Sequence, residues 1–155
     1  QDAAWNLADE FLGSALLGHC ARASSMSHQI LTLSNRQEIV WRTAVALALC
    51  GRGDEAVSLG NKLVRGHPND TLVNVVWVPL IRGAAVLQRR HSAEAVAILE
   101  PALRYDFAYE AVGYPNYIRG LAYLAQHDRQ NALAEFDKIL SHRYLYRGEA
   151  HYSLA

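Results

Sequence analysis

Four short turn segments, each followed by an alanine near the start of a new helix, punctuate this chain at a nearly regular interval. They are Gly18-His19-Cys20-Ala21-Arg22-Ala23, Gly51-Arg52-Gly53-Asp54-Glu55-Ala56, Arg90-His91-Ser92-Ala93-Glu94-Ala95 and His127-Asp128-Arg129-Gln130-Asn131-Ala132. Their alanines, Ala23, Ala56, Ala95 and Ala132, stand 33, 39 and 37 residues apart. This recurrence constrains the fold more than any other feature. One helical hairpin cannot bury its own apolar face, so a hairpin that repeats at this period must be covered by its neighbours. A small residue at the same place in each unit lets the paired helices approach closely.

Between the turns nearly everything reads as helix. Alanine and leucine recur at helical spacing, and period-two alternation of β-branched residues is absent. The expected helices cover about 3–17, 20–32, 36–50, 54–66, 71–89, 92–104, 115–126, 129–141 and 147–155. Ser34 with Gln37 fits a capping box, and Asp54, Asp70, Ser92 and Asp128 stand where N-caps belong. Gly66 followed by Pro68 is a stop, since glycine takes the left-handed cap and proline cannot continue the helix. Pro115 suits a first helical turn. Pro79 should kink or break its helix near Val75, and Pro101 near Ala97, whose carbonyls their rings would crowd. Tyr105 to Tyr114 is the one sizeable loop besides the short link from Ser141 to Tyr146. Helices of this length on such short turns pack as antiparallel neighbours.

Composition narrows the class. With 51% apolar and 19% charged residues the chain can build a continuous core, and its 155 residues suit a single domain, 1–155. Lysine plus arginine equals aspartate plus glutamate, 15 each, so no electrostatic case exists for a nucleic-acid or membrane-surface partner. The longest apolar stretch, Leu72 to Leu87, is interrupted by Asn74, Pro79 and Arg82 and does not reach the ~20 residues of a membrane span. No basic segment leads into a pure apolar run at the amino terminus. The chain opens on Gln1 and stops in mid-pattern at Tyr152 to Ala155, so it reads as a piece of something longer. A cytoplasmic setting is expected, with the cell envelope as the alternative. Cys20 and Cys50 fall in apolar helical pattern and read as free, buried thiols.

The repeat resembles the tetratricopeptide repeat, a helix–turn–helix unit of about 34 residues. Gly120 and Tyr123 match its G-x₂-Y element, and Ala132 and Phe136 its A-x₃-F element. Ala44, Leu47, Ala56 and Pro68 fall at the small, bulky, alanine and terminal-proline positions of the second unit, and Gly83, Ala95 and Ala102 at small positions of the third. Ala23 and Ile30 carry the first. Two intervals exceed the usual length, and Asn116 and Arg119 stand where the family has tryptophan and leucine. The resemblance implies an all-α superhelix of about four helix pairs plus a final helix. The stretches Asp70 to Asn74 and Tyr117 to Leu124 are also similar to repeat regions attached to bacterial Ser/Thr kinases or winged-helix regulators.

What the resemblance implies for function is a protein-binding module. In the family, the first helix of each pair lines a concave groove. Here those positions are Trp5, Ala8 and Leu12; Trp41, Val45 and Ala48; Trp77, Leu80 and Leu87; Tyr114, Tyr117, Leu121 and Leu124; and Tyr152. The residues expected to carry partner binding are Trp41, Val45, Trp77, Leu80, Tyr114, Tyr117, Leu121 and Tyr152. An apolar, aromatic lining suits an extended or helical apolar segment. It lacks the lysines and asparagines with which chaperone-binding members hold a terminal carboxylate. All eight tyrosines lie between Tyr105 and Tyr152. They line a recess, fill the space under the long loop, or dock further helices.

No catalytic constellation stands out, so neither an enzyme nor a cofactor is expected. Seven histidines occur, but without H-E-x-x-H, C-x-x-C or a pair four apart. Cys20 and His28 are over two turns apart on one helix. Gly51 to Ala56 mimics a dinucleotide fingerprint but follows a helix rather than a strand. Asp106 and Glu110 lie on the long loop with no convergent acid or base evident. The leading expectation is capture of a protein or peptide partner. Its rivals are a structural or self-associating scaffold that positions a kinase or DNA-binding domain, and a sensor of small molecules or peptides at the tyrosine-rich end.

Overall fold

A computed structural model describes residues 2–108 and 113–143. Eight α-helices follow one another as four pairs: α1 (Asp2–Leu16) with α2 (Ala23–Leu33), α3 (Gln37–Leu49) with α4 (Gly53–Gly66), α5 (Val78–Gln88) with α6 (Ser92–Leu99), and α7 (Tyr114–Ala125) with α8 (Arg129–Ser141). No strand occurs among the described residues. The expected helix at 147–155 lies outside them.

One turn geometry joins the two helices of every pair. Gly18, Gly51, Arg90 and His127 each take a left-handed backbone, with φ of 78°, 75°, 66° and 61°. Their N–H groups donate to the carbonyls of Ala15, Ala48, Leu87 and Leu124, three residues back. The next N–H, from His19, Arg52, His91 and Asp128, reaches five residues back to Ser14, Leu47, Val86 and Tyr123, and all eight N···O distances are 2.8–3.1 Å. This is the Schellman closure, which satisfies helix-end carbonyls that would otherwise lack donors. Glycine adopts it freely in the first two turns. Arg90 and His127 adopt it against a steric cost of roughly 1–2 kcal/mol each.

Not every expected cap forms. Asp128 accepts from the Asn131 N–H at 3.1 Å, and Asp70 accepts from the Val73 N–H at 3.1 Å. The Ser34–Gln37 box is absent: Ser34 Oγ accepts from Arg36 N–H at 3.3 Å, and Gln37 Oε1 is buried without a donor. Asp54 lies inside the first turn of α4, Ser92 begins α6, and neither helix has a side-chain cap.

The prolines act through local changes of helix type. Ahead of Pro79, Leu72–Trp77 winds as a π-helix, and the Val78 N–H reaches the carbonyl of Val73. The expected kink or break takes the form of a wider turn, through which the helical path continues into α5. At Pro101 the α-helical ladder does stop: α6 ends at Leu99 and Glu100–Tyr105 tightens into 3₁₀ turns. The loop that follows is closed by the Gly113 N–H on the Asp106 carbonyl at 2.9 Å.

The odd-numbered helices pack along one another, α1 on α3, α3 on α5 and α5 on α7, as well as against their even partners. α3 is therefore enclosed, and every residue from Ile39 to Leu49 is buried. The repeating small residues sit at the crossings. Ala56, Ala95 and Ala132 are buried, as is Ala44. A Cβ at Gly83 would stand 3.0 Å from Leu99, and one at Gly120 only 2.6 Å from the Phe136 ring. No described helix is long and apolar enough to cross a membrane.

The cysteines correct the sequence reading. Cys20 lies in the first turn and Cys50 caps α3, and they form a disulfide with Cα atoms 5.3 Å apart. They are not free thiols. Cys20 lies in the link between α1 and α2 and Cys50 at the end of α3, and the packing of α1 on α3 brings the two together.

Candidate functional site

Five of the eight residues expected to carry partner binding lie in the interior instead. Trp41 on α3 stacks on Trp77, centroids 5.7 Å apart and planes 17° apart, and Tyr114 at the start of α7 meets Trp41 edge-on at 5.7 Å. Trp41, Val45, Trp77, Leu80 and Tyr114 are all at most 2% exposed. Their role as an accessible partner surface is thereby corrected. Trp41 belongs to the second pair and Tyr114 to the fourth, so large rings from pairs two apart converge in the interior. Ala8, Leu12 and Ala48 are buried as well. The indole N–H groups of Trp41 and Trp77 are enclosed without an acceptor. Ring packing and area hold the two indoles together.

A buried arginine lies against it. Arg42 is fully buried, donates from Nε to Asp9 at 3.0 Å and from Nη1 to the Glu38 carbonyl at 2.9 Å. Its guanidinium lies 4.0 Å from the centroid of Trp5 and 4.6 Å from that of Trp41, a cation–π arrangement joining α1 to α3.

Arg119 on α7 centres a buried polar node. Its Nη2 meets both Asp106 carboxylate oxygens at 2.7 Å and Glu135 Oε2 at 2.8 Å. Asn116, one turn earlier, donates to Asp106 Oδ2 and Glu135 Oε2 at 2.9 Å each. Lys138 reaches the other Glu135 oxygen at 2.9 Å. All but Lys138 are at most 6% exposed. The expectation that Asp106 has no convergent partner is overturned, because α8 supplies Glu135 and α7 supplies Arg119 to the same point. Burial works against the guanidinium's charge, but its bonds to Glu135 and Asp106 prevail and raise the Arg119 pKa. Burial likewise opposes ionisation of Glu135, yet the donors Arg119, Lys138 and Asn116 hold its pKa below the ordinary carboxylate value. The node ties the long loop, α7 and α8 together. A signal existed in the sequence: Asn116 and Arg119 share one helix face, and Glu135 lies between Ala132 and Ile139 on the buried face of α8.

Three further groove residues, Tyr117, Leu121 and Leu124, lie along α7. Tyr117 and Leu121 are half-buried and Leu124 is 46% exposed. Burial pushes the Tyr117 phenol pKa up. The Tyr117 ring meets Phe136 of α8, centroids 6.2 Å apart. Phe136 lies on a stripe with Leu133 and Leu140, which are 60% and 54% exposed. Tyr152 lies outside the described residues.

No group of three His, Cys, Asp or Glu side chains among the described residues is arranged to hold a metal ion. No protein-family model matches the chain, and no curated protein or solved structure matches it either.

Proposed function

We propose that the chain is a tetratricopeptide-like superhelical module that binds another protein through the apolar stripes of α7 and α8, not through its concave face. Four identical Schellman turns, with odd helices packed in sequence, support the repeat reading. The observation that carries the binding surface is a difference between equivalent positions. Counting from the repeat alanine, Leu133 and Leu140 of α8 correspond to Val57 and Val64 of α4. Val57 and Val64 pack against the core, while Leu133 and Leu140 stand open. Two exposed leucines on one helical stripe, beside Leu124 and the Tyr117–Phe136 pair, form an apolar surface suited to a partner's apolar segment. In this reading the module is part of a larger bacterial signalling or regulatory protein. The Cys20–Cys50 disulfide favours an oxidising compartment, on the outer side of the envelope, over the reducing cytoplasm.

A photo-crosslinking residue at position 133 or 140, compared with one at exposed Arg65, tests the surface in cells. Adducts to a distinct protein are expected from 133 and 140 alone. Adducts only to the same chain would favour the scaffold reading, and equal yields from Arg65 would discard the surface.

A further inference from the structure

We propose that the cleft between α2 and α4 is a second binding site, for a peptide segment that carries an apolar side chain beside an acidic one. α2 and α4 each pack on α3 but make no substantial contact with each other. A cleft of about 290 Å³ lies between them. That is room for about ten water molecules and lies at the small end of ligand cavities, so it accommodates side chains of a short segment. Buried Val40 and Leu63 contribute to its lining, together with half-buried Leu31 and Leu59. Asn35, Lys62 and His67 are its exposed polar members.

The charge of this lining is one-sided. No carboxylate contributes to it, and the Lys62 ammonium has no ion-pair partner among the described residues. Lys62 is exposed at the cleft, and a lysine covers apolar surface with its stem while its head stays in solvent. An acidic side chain complements Lys62, with His67 as a second donor. An adjacent leucine-sized side chain complements Leu31, Leu59 and Leu63. The Asn35 amide supplies one donor group and one acceptor, the pair that a peptide backbone requires. The site is independent of the α7–α8 surface, and either can fail without the other.

The test is an amide chemical-shift titration with short Gly/Ser peptides centred on Leu-Glu or on Leu-Lys. The Leu-Glu peptide is expected to shift the amides of Leu31, Leu59, Lys62 and His67, and to bind at least about tenfold more tightly than Leu-Lys. Lys62→Glu, at an exposed position, should reverse that preference without changing the fold. Absence of shifts at about millimolar peptide, equal affinity for both peptides, or shifts confined to Leu133 and Leu140 would overturn the proposal. Concentration-dependent self-association abolished by Lys62→Glu would overturn it too, by showing that a second copy fills the cleft.

Discussion

Reducing the Cys20–Cys50 bond should cost this protein a large part of its stability. The bridge closes a loop of 30 residues, the sequence separation of the two cysteines, and that loop contains α2 and α3. In the chain-entropy account, such a loop removes about 12 cal/mol/K from the unfolded state, or roughly 3.6 kcal/mol at 25 °C. For a chain of 155 residues that converts to a fall of about 7–14 °C in Tm. Urea unfolding should be followed by far-ultraviolet circular dichroism with and without dithiothreitol. Cys20→Ala/Cys50→Ala serves as the control, because it removes the bridge and should be insensitive to the reductant. Packing lost from the two sulfur atoms appears as the difference between the reduced wild type and the alanine pair. If the wild type keeps its midpoint under reduction to within about 0.5 kcal/mol, the bridge does not form in solution and the oxidising-compartment reading falls with it. If the alanine pair responds to dithiothreitol as strongly as the wild type, the reductant acts elsewhere.

Arg119→Met should destabilise the fold by about 3–5 kcal/mol, because it leaves Asp106 and Glu135 buried without their shared cation; urea midpoints measure this. The depressed pKa of Glu135 adds a pH dependence of definite sign. A carboxylate bound more strongly to its donors when folded contributes stability above its unfolded pKa, about 4.3. That contribution is lost as the pH falls from there through the lower folded value. Glu135→Gln should flatten part of that acid limb, and an unchanged limb would show that the node does not hold Glu135 ionised. Gly120→Ala should cost about 1–3 kcal/mol, since a Cβ 2.6 Å from the Phe136 ring outweighs the ~1 kcal/mol helix-propensity gain. Phe136→Leu should recover some of that loss in a double-mutant cycle. Arg90→Gly and His127→Gly should each raise stability by roughly 0.5–1 kcal/mol, because glycine takes their left-handed turn position without strain. A Tm below the wild type for both would refute the strain argument.

The sequence by itself determined the helices, the pairing of successive ones and the places of the four turns. Those features depend on neighbours within a turn or two: apolar spacing, the early alanines, and the prolines at 68, 79, 101 and 115. Even Arg90 and His127 occupy turn sites that were readable from register, although their left-handed backbone was not. Only the tertiary structure decided which distant residues meet. Cys20 lies in the α1–α2 turn and Cys50 at the end of α3, and only the packing of α1 on α3 makes them neighbours. Asp106, Arg119 and Glu135 come from a loop and two helices, so their convergence has no local periodicity to announce it. The burial of the Trp41, Trp77 and Tyr114 rings has the same origin. A helical pattern tells which face of its helix Trp41 or Tyr114 occupies, but the packing of separate helices sets the distance between their rings. The packing of α3 on α5 and of α5 on α7 fixes that distance, and no short stretch of the chain encodes it.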